Sequence, residues 1–215
     1  MKDNLTEIIF ILDRSGSMSD MTQETIGGFN SLIEKHKKEK NGDIYITTVL
    51  FDNYYEILHE HVAIDDIAPL TDKDYFARGS TALMDAVGKT IDSVGERLSA
   101  TKEEDRPSNI ILVITTDGYE NCSRIYSKSK VKKLIKQQKE KYNWKFLFLG
   151  ADIDAAEEAD AMGIGRECSM KTSRNTEGIR RQYNIISAVA SKCIARPTES
   201  FETLCEEAFV ECEEK

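Results

Sequence analysis

Behind the unbroken apolar run Ile8-Ile9-Phe10-Ile11-Leu12 the chain reads Asp13-Arg14-Ser15-Gly16-Ser17-Met18-Ser19-Asp20. That is more side-chain oxygen than a strand exit needs, since one turn-former and one helix cap suffice. Ser19 or Asp20, with Gln23 placed like a capping-box partner of Asp20, meets that need. Asp13, Ser15 and Ser17 are left over, in the spacing D-x-S-x-S. Two further segments are of the same kind: Thr115-Thr116-Asp117-Gly118 follows the apolar run Ile110 to Ile114, and Arg78-Gly79-Ser80-Thr81 precedes a long amphipathic stretch. Asp13 and Asp117 are carboxylates, whereas Ser15, Ser17 and Thr81 are neutral hydroxyls. Such a set suits a small hard cation, because magnesium takes about six oxygens and is usually held by only one or two carboxylates plus waters. Two acids and three hydroxyls neutralise a divalent ion while leaving it short of anionic ligands, so its remaining position favours an incoming carboxylate. The helices expected after Ser17 and Thr81 point their positive ends at the same place, which slightly disfavours the cation and favours an arriving anion. The expected metal ligands are therefore Asp13, Ser15, Ser17, Thr81 and Asp117, and the expected ion is magnesium, with manganese or calcium as alternatives.

These segments need a frame that brings them together. The runs Ile8 to Leu12, Ile110 to Ile114 and Phe146 to Leu149 read as strands buried on both faces, as a helix-covered parallel sheet requires. Between residues 43 and 62, "DIYITTVLF" and "YYEILHEHV" flank Asp52-Asn53 and read as a hairpin supplying one antiparallel edge. Leu83, Val87, Ile91, Val94 and Leu98 recur at helical spacing, as do Ile26, Phe29, Leu32 and Ile33, then Val131, Leu134 and Ile135, and finally Ile179, Tyr183, Ile186 and Ala190. The alternation predicts a doubly wound, Rossmann-like α/β fold: a mostly parallel six-stranded sheet with one antiparallel edge strand and helices on both faces. In such sheets ligands bind outside the carboxyl ends of central strands, where Asp13 and Asp117 fall. Residues 1–196 are expected to form this domain. Residues 197–215, including "ESFETLCEEAFVECEEK", read as an acidic amphipathic C-terminal tail, most simply docked on its own domain.

The three motifs "DRSGSMS", "RGSTALMDA" and "ITTDGYEN", in that order, resemble the von Willebrand factor A domain and its metal-ion-dependent adhesion site. The resemblance covers about residues 5 to 195. It implies that Ser15, Ser17 and Thr81 ligate through hydroxyls while Asp13 and Asp117 bind directly or through water. It also implies that the first strand lies beside the one ending at Asp117. The chain is similar to stand-alone bacterial intracellular members of the family, and the acidic tail has no family counterpart.

Composition narrows the function further. The chain has 215 residues, 40% apolar and 31% charged, with net charge −9, and lacks the basic footprint of a nucleic-acid binder. No apolar stretch spans a bilayer, and Met1 to Leu5 lack a signal peptide's apolar segment, so a cytoplasmic protein is expected. Five widely spaced cysteines without a CxxC pair argue for reduced thiols rather than disulfides or a zinc knuckle. His59 and His61 fall on one side of an edge strand without a third ligand and are expected to face solvent, while Asp154 is placed to cap the next helix. Neither GxGxxG nor GxxxxGK occurs. An alternative is a magnesium-dependent phosphatase-like hydrolase using Asp13, but the second aspartate such enzymes place two positions on is here Ser15. No histidine neighbours a motif to activate Ser15 or Ser17. The reading is thus a metal-dependent protein-interaction domain without catalytic residues, an adaptor or scaffold binding an acidic residue of an unidentified protein, with Arg78, Tyr119, Glu120 and Asn121 as the selecting rim.

Overall fold

Five-residue runs that are apolar on every position have no solvent face, so they settle in the middle of a sheet covered on both sides. The computed structural model describes residues 1–40 and 42–213, apart from the Asp3 side chain. It places Ile8 to Leu12 in β1 (Lys2–Asp13), where all five are fully buried. The chain continues through α1 (Thr22–Glu39), β2 (Asp43–Phe51), β3 (Tyr55–Ala63), α2 (Leu83–Ala100), β4 (Pro107–Thr116) and α3 (Lys128–Tyr142). It then forms β5 (Lys145–Ala151), α4 (Ala155–Met162), β6 (Ser169–Thr172), α5 (Thr176–Ala195) and α6 (Phe201–Glu211). One six-stranded sheet results, in the order β3-β2-β1-β4-β5-β6. All pairings are parallel except the β2–β3 hairpin at one edge.

Alternation along β1 sends side chains to opposite helical layers. Phe10 meets Phe29 of α1 edge-on at 5.3 Å, whereas Glu7 meets Arg97 of α2. The periodic residues Leu83, Val87, Ile91, Val94 and Leu98 of α2 are all buried, each contributing roughly 1.5–3 kcal/mol of apolar transfer. The last strand, β6, has only four residues and adds the second edge beside β5.

Two local expectations need correction. The entry to α1 is not capped by Ser19 or Asp20: Gly16–Met21 forms a 3-10 turn that runs straight into the helix, and Met21 occupies the cap position. The Met18 N–H already bonds the Ser15 carbonyl at 2.9 Å within that turn, and Asp20 is drawn away to Arg174. His59 and His61 do not share an exposed side. The β2–β3 register slips between Ile46 and Val49 and His61 adopts φ 50°, as at a bulge, so the two rings part. His59 stacks on Phe29, and His61 stacks on Tyr45 at 4.3 Å while facing Glu7. The Asp154 carboxylate does cap α4, accepting the Glu157 N–H at 2.9 Å.

In its described part the acidic tail forms α6. Phe201, Leu204, Cys205, Ala208 and Phe209 are buried in the same core as the sheet, against α5 and the 3-10 turn Arg166–Cys168. Glu207 pairs with Arg196 and Lys192 at the end of α5. No described helix is long and apolar enough to cross a membrane.

Candidate metal centre

β1 and β4 are neighbours that finish together, with Leu12 opposite Thr115, so their exits deliver Asp13 and Asp117 to one end of the sheet. The Asp13 carboxylate is buried. Its Oδ1 accepts the Ser15 N–H at 2.7 Å and its Oδ2 accepts the Thr116 hydroxyl at 2.5 Å. The Tyr75 hydroxyl, itself fully buried, donates to the Asp13 carbonyl at 2.5 Å and fixes the strand end from below. From there the turn carries Ser15 and Ser17 side by side, their Oγ atoms 3.1 Å apart, and Ser17 Oγ donates to Asp117 Oδ1 at 2.6 Å.

Thr81 arrives from a loop pinned at both ends. Its N–H donates to Asn121 Oδ1 at 3.0 Å, and its carbonyl accepts the Asn121 N–H at 3.1 Å. The Gly16 N–H donates to the carbonyl of Gly79, whose φ of 69° suits glycine. Gly118 completes the junction: a Cβ there would sit 3.2 Å from Thr81 Oγ1 and 4.0 Å from Ser17 Oγ, so its bare backbone lets the three motifs close on one another. All five expected ligand residues thus lie around one pit. Ser17 is the exposed member, while Asp13, Ser15, Thr81 and Asp117 are buried.

Electrostatics separate the two acids. Burial raises the Asp13 carboxyl to about 6 although the Thr116 and Ser15 bonds oppose it, and Asp117 pushes the same way as burial. Asp117 has a cation of its own. Arg174, in the turn between β6 and α5, donates from Nε to Asp117 Oδ2 at 2.8 Å and from a terminal nitrogen to the Ser17 carbonyl and Asp20. The bond to Asp117 raises the guanidinium pKa still further. The local sequence around Arg174 carries no signal of this role.

The surroundings revise the expected rim. Glu120 turns inward, its two oxygens accepting the N–H groups of Met84, Cys122 and Ser123, so it caps the start of α2. Asn121 is spent on Thr81. Arg78 and Tyr119 do reach solvent, and Tyr54 and Phe76 join them: the Arg78 guanidinium lies over both rings, 5.9 Å and 5.0 Å from their centroids. Beneath them Asp52 is fully buried and accepts from Nε of both Arg14 and Arg78, at 3.0 Å and 2.7 Å. Arg14, to which the sequence assigns no role, is 1% exposed and also pairs with Glu56 at 2.7 Å. The side of the pit facing β2 and β3 is therefore an aromatic and arginine surface held by one buried aspartate.

An all-oxygen donor set containing a buried carboxylate with no cationic partner among the described residues fits a hard divalent ion, which is what such a carboxylate lacks. Asp13, Ser15, Ser17, Thr81 and Asp117 are the residues that would hold it. No sequence-family profile matches the chain, and no curated protein is detectably similar in sequence. Solved structures are similar in fold. The vWF domain of the type V pili tip protein Mfa5 from Porphyromonas gingivalis superposes with a TM-score of 0.63 at 8% identity, covering 93% of this chain and 99% of that one. Proximal thread matrix protein 1 from the mussel byssus, with a zinc-occupied MIDAS motif, gives 0.60 at 13% identity over 88% of this chain and 48% of that one. Manganese-loaded TRAP protein from Plasmodium vivax gives 0.54 at 15% identity over 80% and 70%. The chain spans about half the length of the mussel proteins it matches. The order of its strands, its single antiparallel edge and these superpositions give the chain the von Willebrand factor A fold.

Proposed function

We propose that this chain is a metal-dependent protein-interaction domain, in which a divalent cation held by Asp13, Ser15, Ser17, Thr81 and Asp117 receives an acidic side chain of a partner protein. The observation that carries the reading is the state of Asp13: a buried carboxylate answered by one hydroxyl and one amide and by no cation among the described residues. The bound ion would supply an open coordination position on an otherwise lightly charged site. The metal-bound mussel and Plasmodium structures of the same fold support a divalent cation, and magnesium is the ion proposed for this chain.

The protein's own groups do the rest. Thr116 and Ser15 orient Asp13, Asn121 holds Thr81 in place, and Ser17 keeps Asp117 Oδ1 turned into the pit. Arg174 neutralises the outer oxygen of Asp117, so the site keeps little net negative charge with which to repel an acidic partner. Arg78, Tyr54, Phe76 and Tyr119 offer a cationic and aromatic margin suited to an acidic residue with apolar neighbours. The three histidines are engaged elsewhere, with Glu39 and Ser187, Phe29 and Thr48, and Glu7 and Tyr45, which leaves Ser15 and Ser17 without a general base.

Affinity capture from native lysate, with magnesium and with chelator, tests the proposal. The intact chain should retain a partner only with metal, and Asp13→Ala should retain none. A partner set indifferent to both chelator and Asp13→Ala would refute it, and phosphatase turnover abolished by Asp13→Asn would replace it with the hydrolase reading.

A further inference from the structure

Three of the five cysteines gather far along the chain from the metal centre, where α6 lies against the 3-10 turn Arg166–Cys168. Cys168 belongs to that turn, Cys193 to α5 and Cys205 to α6, and all three are buried. Two acids approach the same spot. One carboxylate oxygen of Glu167, one of Glu202 and the Cys168 Sγ lie within 4.8 Å of one another. Cys205 follows Glu202 by three residues on α6, so the two share a helix face, and the Cys205 thiol neighbours that of Cys168. No lysine or arginine pairs with either carboxylate among the described residues.

The backbone makes room for this convergence. The Glu167 carboxylate folds back over Gly165 into the space a side chain would fill, where a Cβ would come within 1.8 Å of Oε1. Two half-buried carboxylates brought this close repel unless a cation lies between them.

We propose that Glu167, Cys168, Glu202 and Cys205 form a second metal site, for a thiophilic divalent cation of the zinc class, that staples α6 to the turn preceding β6. Sulfur with carboxylate oxygen is a zinc donor set; three such atoms already converge and Cys205, beside Cys168, would supply the fourth that its tetrahedral preference takes, whereas magnesium avoids thiolate. On binding, each thiol releases its proton to solvent and the sulfur takes the metal. Cys193, on α5, is the bystander and lies outside the group formed by Glu167, Cys168 and Glu202.

Cobalt titration of the reduced, metal-free full chain tests this, because only a sulfur-bound cobalt ion gives thiolate-to-cobalt charge-transfer absorption in the near ultraviolet. The band should saturate at one equivalent and be bleached by zinc. It should survive in Asp13→Ala, because the first centre contains no sulfur, and survive in Cys122→Ser. Cys168→Ser and Cys205→Ser should each lose or strongly reduce it. Glu202→Gln, at a half-buried position, should keep the parent's circular dichroism and weaken cobalt binding, and so serves where a cysteine variant does not fold. No band in the wild type, a band unchanged in Cys168→Ser, or an affinity unchanged in Glu202→Gln would overturn the proposal.

Discussion

Glu7 and Asp13 stand on the same central strand, on the same side, and both are buried. Their surroundings answer that burial in opposite ways. Glu7 Oε1 accepts from Arg97 at 2.6 Å and from the Thr47 hydroxyl at 2.7 Å, and its Oε2 faces His61 Nδ1 at 3.2 Å. Burial alone would raise its carboxyl, but His61, Arg97 and Thr47 outweigh it and hold Glu7 below the ordinary carboxylate range. Asp13 has a hydroxyl and an amide where Glu7 has a guanidinium and an imidazole, and burial wins, raising it to about 6. One buried acid has its cation, Arg97, within the fold, and the other lacks a positive charge. A strand that holds both separates burial with a built-in cation from burial without one, and the proposed site rests on the second.

The largest effect should come from breaking the paired side. Glu7→Ala removes the fully buried carboxylate on which Arg97 and the Thr47 hydroxyl converge, and urea unfolding should report a loss of about 3 kcal/mol, the low end for breaking a buried pair because the partly exposed Arg97 can turn to solvent. Asp13→Asn in chelator should do the reverse at neutral pH. The folded Asp13 carboxyl titrates near 6 and the unfolded one near 3.8, so the folded state binds the extra proton and stability falls as pH rises between them. The shift corresponds to a penalty on the order of 3 kcal/mol, complete above pH 6 and absent below about pH 4. Asp13→Asn should therefore be more stable than the metal-free parent at pH 8 and equal to it near pH 4. Glu7 gives the opposite slope: its contribution is complete above the unfolded value near 4.3 and fades as pH falls through the lower folded one. Parallel pH profiles for the parent and Asp13→Asn would erase the distinction. The smallest effect concerns Arg174, a tethered cation beside the proposed cation site. Arg174→Ala should tighten magnesium or manganese binding by about fivefold, the equivalent of a partly exposed charge interaction near 1 kcal/mol. Calorimetric titration showing weaker binding instead would make Arg174 a support of the site.

What was legible in the sequence was what is local. β1, β4 and β5 stand out as apolar runs because a central strand has no face to leave polar, and α2 stands out because five buried positions repeat at helical spacing. D-x-S-x-S is readable because its three side chains sit within one turn. The remainder is fixed by contacts between distant segments. Arg174 reaches Asp117 across 57 positions and Arg14 reaches Asp52 across 38, and nothing near either arginine announces the partner. β6 is too short and too polar to stand out, and Tyr75 is one of two adjacent aromatics in a long loop until its hydroxyl meets the Asp13 carbonyl. Glu120 and Asn121 look like surface recognition residues beside Asp117, but the unpaired N–H groups at the start of α2 and in the Thr81 loop claim them.

The central claim, that Asp13 awaits a cation, is tested most directly by thermal unfolding of the intact chain and of Asp13→Ala as magnesium or manganese is added. The intact chain should gain about 2.7 kcal/mol at a free metal concentration a hundredfold above Kd. At this size that is a rise in Tm of about 5–10 °C, and Asp13→Ala should show none of it. A Tm of the intact chain unmoved by millimolar magnesium and manganese, or a rise equal in both proteins, would contradict the account.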